Sequence, residues 1–346
     1  MKSNFQMKTG NSILLKTLVF LLLTTGFVYA QETLYPISKG GKYGYINKAG
    51  KEVIAPQYDF AAAFTEGLGL VKSSGKKGYI DNAGKMVIPA QFDDAFAFKE
   101  GLACVKKAGK WAYIDKTGKI LFQPNCQYAY SFSDGMARFQ LGFKFGYVDK
   151  TGKVAIDAKF DGAYEFSEGL ARVKADSKSK WGFIDKTGKI VINSIYDDCF
   201  DFREGTANVR VGNEQTGKWG FIDKTGKYTI DLQYDKAFYF SDGLALIRIG
   251  DFKTGKFGYI DKTGKIVINP QFDGAFNFVE GLACVRSGDA RTGMWGYIDK
   301  NGKIIINREF AFPVDFKNGM ANVKYGSVKS GQGGYIDKKG NFIWKM

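Results

Sequence analysis

The sequence predicts an all-β protein, a tandem repeat of short antiparallel meanders of three to four strands stacked into an open superhelical array. Three observations carry this. First, a phrase of aromatic residue, Gly, aromatic, β-branched residue and Asp recurs, with its Gly position at Gly44, Gly78, Ala112, Gly146, Gly182, Gly220, Gly258, Gly296 and Gly334. Spacings of 34, 34, 34 and 36 residues, then 38 four times, mark units that bury apolar faces against their neighbours. Second, each copy opens a turn of the type Asp-Lys-Thr-Gly-Lys, seen at Asp115, Asp185, Asp223 and Asp261. Third, no stretch holds a helical period.

The unit from Ala163 to Asn193 shows the expected elements. Ala163-Tyr-Glu-Phe166 is short and alternating, and Ser167-Glu168-Gly169 is a turn in which Gly takes the positive φ. Leu170-Ala-Arg-Val173 reads as a strand. A polar loop leads to the strand Trp181-Gly-Phe-Ile-Asp185, and Lys186-Thr187-Gly188 reverses the chain into Lys189-Ile-Val-Ile192. Asp at the first turn position and Gly in the left-handed conformation predict a three-residue hairpin with a G1 bulge. Adjacent apolar residues in both later strands predict cover on both faces. The second position of Leu-Ala-x-Val is Ala in seven of eight copies and Gly69 in the other, so a neighbouring sheet must approach closely.

Two aromatic registers are expected to form the core between units. One holds Tyr58, Phe92, Tyr128, Phe160, Tyr196, Tyr234, Phe272 and Phe310, and the other runs from Phe64 through Phe166 to Phe316. The chain starts inside a unit at Tyr43 and ends after the strand at Trp344. With no leftover strand as a latch, an open stack accounts for the count, and closure into a β-propeller-like ring is the alternative.

Lys180-Trp-Gly-Phe-Ile-Asp-Lys-Thr-Gly-Lys-Ile-Val-Ile192, followed by Tyr196-Asp197, Phe202 and Glu204-Gly205, resembles the bacterial WG-repeat (KWG) family over about Lys42 to Trp344. Departures are local: Lys77 and Gly333 replace the first aromatic, and Ala112 replaces the Gly. The resemblance implies a β-repeat that acts as an interaction module.

Residues 1–30 read as a secretory signal peptide. Lys2, Lys8 and Lys16 precede the apolar run Leu18–Phe27, too short to span a bilayer, and Val28-Tyr29-Ala30 fits cleavage between Ala30 and Gln31. The expected organisation is therefore a signal peptide at 1–30, a lead-in at 31–42 and one array of nine WG-type repeats at 43–346, the last truncated. Export places the protein in the periplasm or outside the cell. The formal charge is +15, or +12 without the three leader lysines, and its repeat-borne lysines are spread evenly. Cys104 and Cys284 share a repeat position, Cys199 stands where Ala95, Ala163, Ala237 and Ala275 stand elsewhere, and Cys126 stands alone. Free or buried thiols are expected.

The chain has no histidine, which removes the commonest general base and zinc ligand. Gly212-Asn-Glu-Gln-Thr-Gly-Lys218 and Gly250-Asp-Phe-Lys-Thr-Gly-Lys256 imitate a phosphate loop. They are followed by Trp219 and Phe257 and then by strand, so they are hairpin loops. Carboxylates recur in every unit (Asp59, Asp93, Asp161, Asp197, Asp235 and Asp273; Glu66, Glu100, Glu168, Glu204 and Glu280), as turn and capping groups do. No catalysis, cofactor or metal is expected.

Two binding features remain. The aromatics before the motif Gly, with Trp111, Trp181, Trp219 and Trp295, form a ladder able to stack on sugars if exposed. The loops before them lengthen in later repeats and vary in composition, with Asn213-Glu-Gln215, Asp251-Phe252-Lys253, Asp289-Ala-Arg291 and Ser327-Val-Lys329. The expected function is an exported scaffold binding an unidentified protein partner through this loop rim, Phe252 and Arg291 included; the alternative is a cell-envelope glycan. No specific nucleic acid is expected, and the mature chain is expected to be monomeric with no transmembrane helix.

Overall fold

The computed structural model describes residues 32–326 and 332–346. The leader, its cleavage site at Ala30 and Gln31, and the loop Ser327-Val-Lys329 lie outside the described residues. The fold is all-β, without a helix among the described residues, and is a series of small antiparallel sheets, none closed into a barrel. The first sheet has three strands and the next six have four; a seven-stranded sheet then divides at Ile304–Pro313 into two meanders, which makes nine.

The sixth sheet shows the plan. It comprises a short strand (Asp198–Cys199), an Ala strand (Ala207–Val211), a Trp-Gly strand (Lys218–Ile222) and an Ile strand (Tyr228–Tyr234), paired in that order. Reversals therefore alternate between the two ends of the sheet. At one rim lie the Glu-Gly turns and the Asp-Lys-Thr-Gly hairpins; at the other lie the loops that lengthen in later repeats and the links between sheets.

Both turns of the first rim are encoded locally. Asp115 Oδ1 accepts from the backbone N–H of Thr117 (2.9 Å) and Lys119 (3.1 Å) and from the Thr117 hydroxyl (2.6 Å), while Gly118 sits at φ 87°. Glu66 and Gly67 both have positive φ, 50° and 89°, as a two-residue type I′ hairpin requires. Glu in that region is strained by about 1–2 kcal/mol. Its carboxylate compensates by accepting from the Gly101 N–H of the next sheet (3.0 Å) and pairing with Lys116 (3.3 Å). The device repeats at Glu100, Glu168, Glu204 and Glu280. The recurrent acids are thus capping groups.

The motif Gly answers to a different constraint. A Cβ at Gly220 would stand 2.5 Å from the Ile230 carbonyl oxygen, and at Gly44 2.4 Å from that of Ile54, because the Ile strand bulges over it. Ala112 is accommodated because its Ile strand ends at Phe122. Residues 123–127 leave the ladder, and this shifts one expected position. Tyr128 does not join the core register but is 53% exposed at the start of the next strand. Cys126, 34 residues from both Phe92 and Phe160, holds the place in the core. All four cysteines are free.

Each sheet packs its face on the next. The aromatic after the motif Gly inserts edge-on against the Phe of the following sheet: Tyr45–Phe64, Tyr79–Phe98, Tyr147–Phe166 and Tyr297–Phe316 have centroids 4.8–5.0 Å apart. Where that aromatic is Tyr, its hydroxyl donates to a carbonyl across the same interface, as Tyr147 does to Tyr164 O (2.7 Å). Cover on both faces holds for the Trp-Gly strand, where Phe183 and Ile184 are both buried. It fails for the Ile strand, where Ile190 (56% exposed) and Val191 (41%) face solvent while Ile192 is buried, because this is the edge strand where neighbouring sheets splay apart.

Nine sheets in an open stack would share eight cores; there are nine clusters. The ninth joins the ends: Tyr35, Ile37 and Ile46 pack with Met320 and Tyr335. Tyr35 and Tyr335 meet edge-on at 5.7 Å, Tyr35 OH donates to Asn318 O (2.8 Å), and Tyr335 OH donates to Pro36 O (2.8 Å). Of the two paths the sequence allows, the array therefore follows the closed ring rather than the open superhelix. Among the described residues no strand is shared across the seam. Part of the expected lead-in, Tyr35–Lys39, serves as the Ala strand of the first sheet.

Gly220→Ala is expected to destabilise the fold by about 1–3 kcal/mol through overpacking, and Ala112→Gly by no more than about 1 kcal/mol. Denaturant midpoints by circular dichroism check this. The hairpin carboxyls of Asp115, Asp185, Asp223 and Asp261 are held below the usual carboxylate range, first by the Thr hydroxyl two residues on and then by backbone N–H groups. A depressed folded-state pKa stabilises the fold above the unfolded value of about 3.9 and loses that effect as pH falls through the folded value. The thermal midpoint should thus stay level from neutral pH to about pH 5 and fall below about pH 4; a midpoint that rises there contradicts the assignment.

Candidate binding cleft

The second rim holds a cleft of about 880 Å³ between the sixth and seventh sheets. Its loops are built, not loose. In Gly212–Lys218, Asn213 Oδ1 accepts from the N–H of Gln215 and Thr216 (2.9 and 2.8 Å), and Gly217 N–H returns to Asn213 O (2.9 Å). The backbones at Gly212 and Gly217 approach so closely that a Cβ on Gly212 would lie 2.7 Å from Gly217 Cα. Asp251 closes the loop before Lys256 in the same way, with Gly255 N–H on its carbonyl (2.9 Å). These are hairpin loops, and the resemblance to a phosphate loop ends with the spelling. The linking Asp pins each loop: Asp197 accepts from Gly212 N–H and Asp235 from Gly250 N–H, both at 2.8 Å.

Between the loops, the last residue pairs of the strands place charge beside rings. Arg210 stands opposite Trp219 in the ladder, its guanidinium carbon 5.9 Å from the indole. Lys236 opens the seventh sheet and sets its Nζ 4.1 Å from the same ring. Arg248 lies 5.7 Å from the Phe252 ring. Burial lowers the Lys236 pKa from the ordinary lysine value; Asp198 opposes this, and Arg210 and Arg248 add to it. Arg210 Nε and Nη1 and Arg248 Nε are shielded from solvent and have no hydrogen-bond partner among the described residues.

The sequence-predicted residues fall in different places. Trp219 and Phe252 meet in this cleft, Trp219 as a buried wall and Phe252 87% exposed at a loop tip. Trp111 is buried, stacked on Phe96 with Nε1 donating to Gln127 O (3.0 Å). Trp181 is half-buried and lines a second cleft of about 610 Å³ between the fourth and fifth sheets. Trp295 is half-buried against Phe276 (5.1 Å), and Arg291 is exposed in the third long loop.

The cations were not singled out from sequence, although a signal existed. The residue after Leu-Ala-x-Val is basic in most copies and is Arg in three successive ones, Arg210, Arg248 and Arg286. Lys236 stands where other copies carry Asp94, Gly162, Asp198 or Gly274. No helix among the described residues is long and apolar enough to cross a membrane.

The model of the WG containing repeat matches eight segments, 43–76, 78–111, 111–144, 145–178, 181–214, 219–251, 257–289 and 295–327. Each matched unit begins in the Trp-Gly strand of one sheet and runs into the next, where it ends in the loop after the Ala strand or in the first two residues of the following Trp-Gly strand, so it straddles two sheets; the last ends at 327, outside the described residues. Among solved structures, the chain is similar to a putative dipeptidyl aminopeptidase IV from Bacteroides ovatus at 9% identity, covering 91% of this chain and 58% of that one with a TM-score of 0.48. It is also similar to a quinonprotein alcohol dehydrogenase-like protein from Bacteroides thetaiotaomicron (14% identity, 81% of each chain, TM-score 0.38) and to Hsv2p of Kluyveromyces lactis (7% identity, 66% and 89%, TM-score 0.41). None of these likenesses bears on activity. No curated protein matches the sequence. With the match running from residue 43 to 327 of 346, the chain belongs to the family of WG containing repeat proteins.

Proposed function

We propose that the protein is an exported, non-catalytic scaffold that engages a protein partner through the rim of lengthened loops. The observation that carries this reading is the contrast between the rims. On one, the carboxylates and lysines are bonded into the sheet-to-sheet framework, as Glu66, Gly101 and Lys116 are. On the other, loops of constant backbone and varied side chains surround a cleft, the arrangement by which a rigid scaffold presents recognition residues. The absence of histidine and the capping roles of the repeated acids support a non-catalytic role. Export rests on the leader-like N-terminus.

Shortening the loops 213–216 and 251–254 to the two-residue form found at Ser74-Gly75 tests the reading. Capture of envelope proteins by the shortened chain should fall at least tenfold, while Lys224→Gln on the opposite rim should leave capture unchanged. Equal capture by all three chains would rule the loop rim out.

The glycan reading keeps one supporting observation, the half-buried Trp181 beside an open cleft. It predicts quenching or a blue shift of tryptophan emission on titration with cell-wall polysaccharide, removed by Trp181→Ala. A flat titration disposes of it.

A further inference from the structure

We propose that the cleft between the sixth and seventh sheets recognises a carboxylate on an extended segment of the partner protein, received by Arg210 and Arg248, with an adjoining apolar or aromatic side chain along Phe238 and Phe252. This deepens the scaffold reading and rests on it.

The guanidinium groups are the first reason. Arg210 Nε and Nη1 and Arg248 Nε point away from water with no acceptor, and a shielded charged donor left unpaired is costly to keep. At two other interfaces, arginines that stand two residues earlier on the same strand show what satisfies such a group. Arg172 donates to Asp201 (2.8 Å) and to the Cys199 carbonyl, and Arg138 donates to Glu165 (3.1 Å). Those sites receive their carboxylate from the next sheet of the same chain. Of the four acids lining the cleft, Asp235 is engaged by Lys218 and Gly250 N–H, Asp251 by its own loop and Asp198 by the Cys199 N–H, and Glu214 makes no bond to either guanidinium. A carboxylate from outside completes the pattern.

Charge selects the ion. The lining carries four acidic and four basic side chains, so no excess positive charge draws a dianionic phosphate, and a monoanion matched to one guanidinium edge is enough. The rings select the carrier. Trp219 is already covered by Phe200 (5.6 Å) and by Lys236, and the Phe238 and Phe257 rings are tilted 45° to each other. Such walls suit a side chain better than the flat face of a sugar.

The full chain would be titrated by calorimetry with a capped Gly-Glu-Phe-Gly peptide, its Gly-Gln-Phe-Gly counterpart, a phosphoserine counterpart and an oligogalacturonate. The expected order places the Glu peptide first, with the Gln peptide at least tenfold weaker. Arg210→Gln and Arg248→Gln should each weaken the Glu peptide at least tenfold while leaving the thermal midpoint near that of the parent, and Arg248→Lys should restore little because it lacks the fork. Lys224→Gln should change nothing. No binding of the Glu peptide at millimolar concentration, equal binding of the Gln peptide, or preference for the phosphopeptide or the oligogalacturonate overturns the proposal. If loop shortening still abolishes partner capture, only this inference falls; if capture is also unaffected, the scaffold reading falls with it.

Discussion

The structure depends on one interaction, the aromatic edge of one sheet driven against the Phe face of the next. It recurs from Tyr45–Phe64 to Tyr297–Phe316 with near-constant separation. An edge-to-face pair contributes about 0.5–1.5 kcal/mol beyond the apolar area it buries. Its larger effect is geometric. A ring held at a fixed distance and angle sets the angle between adjacent sheets, and repeating that angle returns the chain to its start. The tyrosine hydroxyls bonded across the interface fix the depth to which each wedge enters.

Much of the local structure was legible in the sequence because it is decided by neighbours a few residues apart. The Asp-x-Thr-Gly hairpins, the Glu-Gly turns and the small residues of the Ala strand follow from φ requirements and close approach, and each appears where the pattern places it. Ring closure was not legible, because it arises from an angle between sheets that no spacing records. The absence of a latch strand suggested an open array. Among the described residues the first sheet is short only of the two-residue strand, and Tyr35 and Ile37 pack against the ninth sheet without it. Tyr128 was misplaced for a related reason: an aromatic two residues from the core position imitates the register, and only Cys126 keeps the 34-residue spacing.

The candidate site divides along the same line. Trp219 and Phe252 could be singled out as a ring before the motif Gly and a residue of a variable loop, each for its own reason. That they share a wall with Arg210, Lys236 and Arg248 depends on two sheets and both loops meeting at one edge. Cations spread evenly along a sequence can gather when the strands carrying them converge. Membership of the WG containing repeat family accounts for the framework and says nothing of these side chains, which differ from copy to copy in the same chain.

The straddling of two sheets by each matched unit has a consequence for how such a chain can change. Inserting or deleting one whole copy in frame would add or remove a complete wedge while leaving the two terminal half-units untouched. Tyr35 and Tyr335 lie in the ends and not in the inserted copy, so the residues that make the closing contact are kept whatever the copy number. The number of copies is then limited by whether the accumulated rotation brings those ends together, a restriction imposed by curvature and not by the wording of any single repeat.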